Sequence, residues 1–242
     1  MKLKSLFGKL VRKILLITRE DSVECVARLR KQGVRIGEGT VFFFPAETTI
    51  DTTRPYLIEI GSNVQITKGV TILTHGYDWS VLKGVYGEIH GSSGKVTIGN
   101  NVFIGSNTTI LKGTTIGDNT IIGAGSLVNG KYPPNCVIAG NPARVICSLD
   151  EYHEKRQIRQ IEEAAEQVRE YYAVYKRIPP VEELHEFFWL FQDAATLTNE
   201  RFINKMKLVG NYSMSMEVFE RHERPFDNFD EFISFCLAEN TD

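Results

Sequence analysis

Residues Val96–Ile146 read VTIGNNVFIGSNTTILKGTTIGDNTIIGAGSLVNGKYPPNCVIAGNPARVI, and one beat runs through them. Ile98, Ile104, Ile110, Ile116, Ile122 and Val128 recur every six residues without a slip. Glycine often follows (Gly99, Gly105, Gly117, Gly123), and turn formers return at Asn101, Asn107, Gly113, Asn119 and Gly125. A period of six matches neither an α-helix nor an alternating strand. It fits a short strand and a tight turn, repeated. Each aliphatic residue points into a narrow interior, and each Asn or Gly can take a positive φ at a corner at little cost. Three such units close one triangular coil, and coils stack at the strand spacing of about 4.8 Å. The same beat is present earlier at Ile60, Ile66 and Ile72, with fragments near Ile36 and Phe42. A Gly-rich antiparallel sandwich is the alternative, and six in-phase aliphatic positions weigh against it.

The beat is lost between Ile72 and Ile98, a gap of 26 residues, or four repeats plus two. The next inward position would be 78, and Asp78 stands there, flanked by Tyr77 and Trp79. Residues 73–95 are therefore read as a loop pushed out of the coil wall, with His75 near its exit. Loops that interrupt a rigid solenoid are where function concentrates. A lone histidine on such a loop is otherwise an ordinary surface residue.

The run Val96–Ile146, and above all its ending PPNCVIAGNPARVI, resembles the hexapeptide-repeat acyltransferases, most of all the O-acetyltransferases of sugars and polysaccharides. The resemblance covers about residues 34–146. It implies a mainly β fold, a left-handed parallel β-helix, assembled as a homotrimer with active sites between subunits. It also implies acetyl-CoA as co-substrate, with no metal required. Transfer from a thioester to a hydroxyl needs that hydroxyl's proton removed, and histidine suits the task near neutral pH. In the resembling enzymes a loop histidine is the base and a glutamate about a dozen residues on supports it. His75 matches the first and Glu88 is the candidate for the second, with Asp78 as runner-up. Tyr77, Asp78 and Trp79 are the candidates for holding the acceptor.

The resemblance also assigns acetyl-CoA positions. Phe103 stands where relatives often carry a tryptophan lining the pantetheine cleft. Ser106 and Ala124 fall at turns one coil apart, and Arg144 is placed to meet the nucleotide phosphates. One departure is VNGKYPPN, where the family often reads Val-Thr-Lys-Asp before IPPN; it puts a phosphate contact by Lys131 in doubt. Cys136, inside the PPNC turn, is read as structural, and no Ser or Cys nucleophile with a base stands out. Direct transfer is therefore expected.

Outside the repeat the chemistry changes. Residues 1–31 carry nine Lys/Arg and three Asp/Glu, residues 32–147 eight and seven, and residues 148–242 eleven and twenty. Three regions follow: an N-terminal segment 1–33, a β-helix domain 34–147 with its inserted loop, and an acidic helical extension 148–242. Residues 1–17 alternate Lys/Arg with Leu, Ile and Phe at helical spacing, which fits a basic amphipathic helix. Peripheral contact with an anionic membrane surface is one reading and packing on the trimer is the other. A second helix near Ser22–Gln32 is expected to end at Gly33 and to cap the first coil. In the extension, residues 150–177 have a helical pattern, Pro179–Pro180 break the chain, and VEELHEFFWLFQ is read as a helix. Further helices are expected near Asn199–Leu208, Met214–His222 and Asn228–Ala238. The set Phe188, Trp189, Phe191, Phe226, Phe229, Phe232 and Phe235 is read as a small helical core, with acceptor binding as the second reading.

Several classes are disfavoured. Four cysteines (Cys25, Cys136, Cys147, Cys236) lack CxxC or CxH spacing, which argues against a zinc site or disulfide framework and fits a reducing compartment. No signal-type cleavage site and no apolar run of membrane-spanning length is present. A cytoplasmic protein is expected, with peripheral attachment to the inner face of the membrane as the second reading. Basic residues cluster only at the N-terminus, so no nucleic-acid partner is expected. The repeat region offers two histidines, His75 and His90, too few for a three-histidine metal site. The expected activity is O-acetylation of a glycan acceptor, a surface polysaccharide (capsule or O-antigen) or its precursor. The alternatives are N-acetylation of an amino sugar and a non-catalytic β-helix scaffold.

Overall fold

The computed structural model describes residues 20–238, and the basic amphipathic helix expected over residues 1–17 lies outside them. They form two compact units, one ending at Tyr152 and one beginning at His153. Among the described residues no helix is long and apolar enough to cross a membrane.

The first unit is a three-faced parallel β-helix, as the six-residue beat requires. One face stacks Ile36, Ile60, Ile98, Ile116 and Tyr132 in register. The second stacks Phe42, Ile66, Ile104, Ile122 and Ile138. The third stacks Ile50, Ile72, Ile110 and Val128. These side chains fill the interior; nearly all are fully buried, and Ile50 and Tyr132 at its ends are partly so. The corners behave as the sequence pattern predicts. Asn101, Asn107 and Asn119 have φ of 53°, 60° and 55°, and Gly113 and Gly125 have 80° and 69°. The asparagines also bond along the stack, Asn101 Nδ2 to Asn119 Oδ1 and Asn119 Nδ2 to Asn135 Oδ1, each at 2.9 Å. Gly105 is small for a separate reason. A Cβ there would lie 2.5 Å from the Ala124 backbone nitrogen in the next coil.

The beat slips where corners carry extra residues. From Phe42 to Ile50 is eight positions and from Ile50 to Ile60 is ten, and a short 3₁₀ turn occupies each excess (Pro45–Glu47, Pro55–Leu57). Helix Ser22–Gln32 has an Asp21–Glu24 capping box and ends at Gly33 with φ 107°. Its Cys25 and Leu29 are buried in the same core as Ile36 and Phe42, so it covers the first coil. Ile104→Ala removes a fully buried side chain held between Ile66 and Ile122. A loss of about 2–5 kcal/mol is expected, read as a lower midpoint in urea.

The second unit contains most of the long helix Leu149–Tyr175, the three short helices Glu200–Met206, Tyr212–Arg221 and Phe229–Leu237, and connecting turns. Asn199 and Asn228 cap the helices that follow them. VEELHEFFWLFQ is not a helix. It forms 3₁₀ turns at Val181–Leu184 and Phe188–Leu190. Its run FFWLF has no 3.6-residue spacing, and Leu184, Phe188, Leu190 and Phe191 are all buried, more directions than one helix face supplies. Phe188 stacks on Phe202 at 4.6 Å, and Phe191 on Phe232 at 5.3 Å, so most of the aromatic set is core. Phe235 is half-exposed and meets Phe226 at 5.0 Å.

Candidate active site

The loop leaves the coil at the corner after the third face. His75–Gly76 pair antiparallel with Ser92–Ser93, and the Gly94 N–H donates to the Thr74 carbonyl at 2.9 Å. These contacts close the base of the loop before the chain re-enters the wall at Val96–Ile98. Between them lies an exposed helix, Trp79–Tyr86, with no buried residue. Tyr77 and Trp79 rings meet at 4.7 Å at its start, and Asp78 holds the N-cap position without a side-chain capping bond.

His75 Nδ1 lies 2.6 Å from Asp51 Oδ2. Asp51 comes from the same corner one coil below. Its neighbour Ile50 pairs with Ile72, and the four residues by which that corner exceeds the six-residue beat begin at Asp51. The carboxylate is buried, at 4% side-chain exposure, whereas His75 keeps 30%. Oδ1 accepts from the Thr53 N–H at 3.1 Å and the Thr53 hydroxyl at 2.6 Å. Oδ2 accepts from the Thr74 N–H at 3.1 Å and from the fully buried Thr74 hydroxyl, in addition to the His75 ring. Burial acts to raise the Asp51 pKa. The bonds from Thr53, Thr74 and His75 outweigh it and hold the carboxyl well below the ordinary carboxylate range. An ionised carboxylate only accepts, so the proton of His75 sits on Nδ1 and the lone pair on Nε2.

The sequence reading gave this orienting role to Glu88, with Asp78 second. The structure corrects it: the carboxylate on His75 is Asp51. Glu88 is exposed and pairs with exposed His90 at 2.8 Å. Spacing along the loop suggested Glu88; register across coils delivers Asp51. The available signal was the ten-residue gap from Ile50 to Ile60, a second interruption one coil before the large one. Among the described residues, no group of three or more His, Cys, Asp or Glu converges as a metal site.

The remaining candidates gather on the second face and its edge. Phe103 points outward, 43% exposed, between Gln65 and Ile121. Ser106 and Ala124 sit at stacked corners between the second and third faces, where the Gly125 N–H donates to the Ser106 carbonyl at 2.8 Å. Arg144 is exposed on the strand Ala143–Ser148 that folds back along the top of the same face, and it donates to the Ala143 carbonyl at 2.9 Å. These four therefore occupy a different corner region from Asp51 and His75. Cys136 is buried, which pushes its thiol up, and it sits 3.2 Å from the Pro133 carbonyl. A thiol held in that state is no nucleophile.

The β-helix region is similar in sequence to known proteins. The profile of the bacterial transferase hexapeptide family (six repeats) matches residues 95–130. Protein CapG of Staphylococcus aureus is 41% identical over 153 residues, covering 63% of this chain and 83% of that protein. The galactoside O-acetyltransferase of Escherichia coli (strain K12) is 43% identical over 108 residues, 45% of this chain and 52% of that one. Among solved structures, a hexapeptide-repeat containing acetyltransferase of Vibrio cholerae aligns over 62% of this chain and 93% of its own, at 22% identity and a TM-score of 0.44.

Proposed function

The chain belongs to the bacterial hexapeptide-repeat transferases, and from that premise we propose that it is an acetyl-CoA-dependent O-acetyltransferase acting on a sugar hydroxyl of a surface polysaccharide or its precursor. The observation that carries the reading is the Asp51–His75 pair at the mouth of the interrupting loop. Likeness to a galactoside O-acetyltransferase supports the class of acceptor.

The reaction follows from the tautomer. Asp51 holds the Nδ1 proton, and Nε2 takes the proton of an acceptor hydroxyl as its oxygen attacks the thioester carbonyl. The C–O bond forms and the carbonyl electrons move onto oxygen, giving a tetrahedral oxyanion. When the oxyanion collapses, the C–S bond breaks. The coenzyme A sulfur leaves with that electron pair and recovers a proton from Nε2. Asp51 stays ionised throughout and stabilises the transient imidazolium. Tyr77, Asp78 and Trp79, on the exposed loop, are the proposed acceptor contacts. Glu88 takes no part in orienting His75 in this scheme.

Phe103, Ser106, Ala124 and Arg144 are the proposed acetyl-CoA contacts. They lie at a different corner of the coil from the His–Asp pair. That separation supports a homotrimer in which one subunit supplies the base and its neighbour supplies part of the coenzyme cleft. The scheme places no requirement on a metal.

Ligand-induced stabilisation tests the donor. Acetyl-CoA at 100 times its dissociation constant adds about 2.7 kcal/mol to the folded state. A rise in Tm is expected for the wild type and for His75→Ala alike. No rise in either would remove acetyl-CoA as the donor.

A further inference from the structure

The C-terminal unit contains a cleft of about 620 Å³ that takes no residue from the β-helix. That size is within the roughly 300–1,000 Å³ usual for small-ligand sites. One wall is a single face of the long helix: His153, Arg156, Gln157 and Gln160 follow the i, i+3, i+4, i+7 pattern. Glu186 and Trp189 also line it.

The charges of this cleft are already met. Arg156 Nη1 pairs with Glu163 Oε1 at 2.7 Å and its Nη2 with the other carboxylate oxygen. Glu186 pairs with Lys205 at 2.9 Å. Other polar groups of the cleft are open: His153 and Gln157 are exposed and Gln160 partly so, and among the described residues their side chains and the indole N–H of Trp189 make no hydrogen bond to another protein group. Trp189 is held in place regardless. Its ring packs on Phe219 at 4.7 Å and His222 at 5.2 Å, and its carbonyl lies 3.0 Å from His222 Nε2.

A fixed indole sharing a cleft with two solvent-open carboxamides suits one ligand chemistry. A sugar ring has an apolar C–H face to lay on the indole, and hydroxyls that both donate and accept. A glutamine amide answers both, and the indole N–H adds a donor. The one guanidinium of the cleft is committed to Glu163, so it is not left to pair with an anionic ligand. We propose that this cleft binds a segment of neutral oligosaccharide, a second saccharide site that grips the acceptor chain away from the reacting hydroxyl. The identification of that chain as the acceptor rests on the proposed O-acetyltransferase reading; the binding of saccharide does not.

The test uses the full-length protein with neutral hexasaccharides of glucose, galactose and N-acetylglucosamine, beside uronic-acid hexasaccharides, followed by saturation-transfer NMR and titration calorimetry. At least one hexasaccharide is expected to bind the wild type and His75→Ala equally. The double variant Gln157→Ala/Gln160→Ala and the single variant Trp189→Ala should each weaken it at least tenfold. The double variant guards against misfolding, because its residues lie on a solvent-facing helix surface, and circular dichroism checks it. No binding at millimolar ligand, or binding that survives both variants, overturns the site. Binding only to uronic-acid oligosaccharides overturns the neutral assignment. Acetyl transfer to monosaccharides is measured on the same samples. Transfer without hexasaccharide binding sinks this site alone, and binding without transfer to any sugar sinks the O-acetyltransferase reading alone.

Discussion

His75→Ala lowers kcat for acetyl transfer by ~10²–10⁴, the usual worth of general-base assistance, with KM for acetyl-CoA changed only a few-fold. The expectation follows from the position of the ring. Nδ1 is committed to Asp51, and the partly exposed Nε2 edge is the group left to receive a proton. None of the proposed coenzyme contacts lies on the loop, so donor binding is spared. The fold is spared too, because Asp51 keeps both N–H groups and both hydroxyls of Thr53 and Thr74. Steady-state kinetics with free-thiol detection, beside circular dichroism of the same preparation, checks each part. A variant that keeps wild-type kcat would remove His75 from the chemistry.

Asp51→Asn should cost a comparable factor in kcat, and for a different reason. The amide NH₂ facing Nδ1 is a donor, so the ring would turn its lone pair toward it and carry its proton on Nε2. A base protonated on its working nitrogen cannot accept. An Asp→Asn change behind the histidine of a serine protease lowers kcat by about 10⁴ through this tautomer switch. Stability changes as well, in a pH-dependent way. The folded-state pKa of Asp51 is depressed, so its contribution is complete above the unfolded carboxyl value of about 3.9. It is lost as pH falls from there toward the folded-state value, because the unfolded chain takes up the proton first. The gap in Tm between wild type and Asp51→Asn should therefore be wide at pH 7 and narrow below about pH 4. Glu88→Gln is the control, with kcat and Tm within a few-fold and a degree or two of wild type. If Glu88→Gln proves the more damaging of the two, the Asp51 assignment fails.

The β-helix was legible because its cause is local and repeated. Six in-phase aliphatic residues and corner Asn or Gly residues state the coil geometry several times over, and the observed positive φ values fall where the pattern put them. The loop was legible as the place where that pattern stops. Asp51 was not, because nearness in a solenoid depends on how many residues each corner absorbs. The corner after Ile50 holds four residues beyond the beat, so counting one coil of three sixes back from His75 lands on Leu57 and misses Asp51. With Ile50 aligned to Ile72, Asp51 falls beside the loop exit. The FFWLF segment failed for the opposite reason. A nearly continuous apolar run buries on all sides and has no period from which to read its backbone.

The central claim is that an acetyl group passes from acetyl-CoA to a sugar oxygen with the Asp51–His75 pair removing the proton. The most direct test is to incubate the protein with acetyl-CoA carrying a ¹³C-labelled acetyl group and sugar acceptors, including amino sugars, and to follow the label by NMR. The account predicts a labelled ester on the sugar, removed by mild alkali and absent with His75→Ala. Label in an alkali-stable amide, or transfer undiminished in His75→Ala, would contradict it.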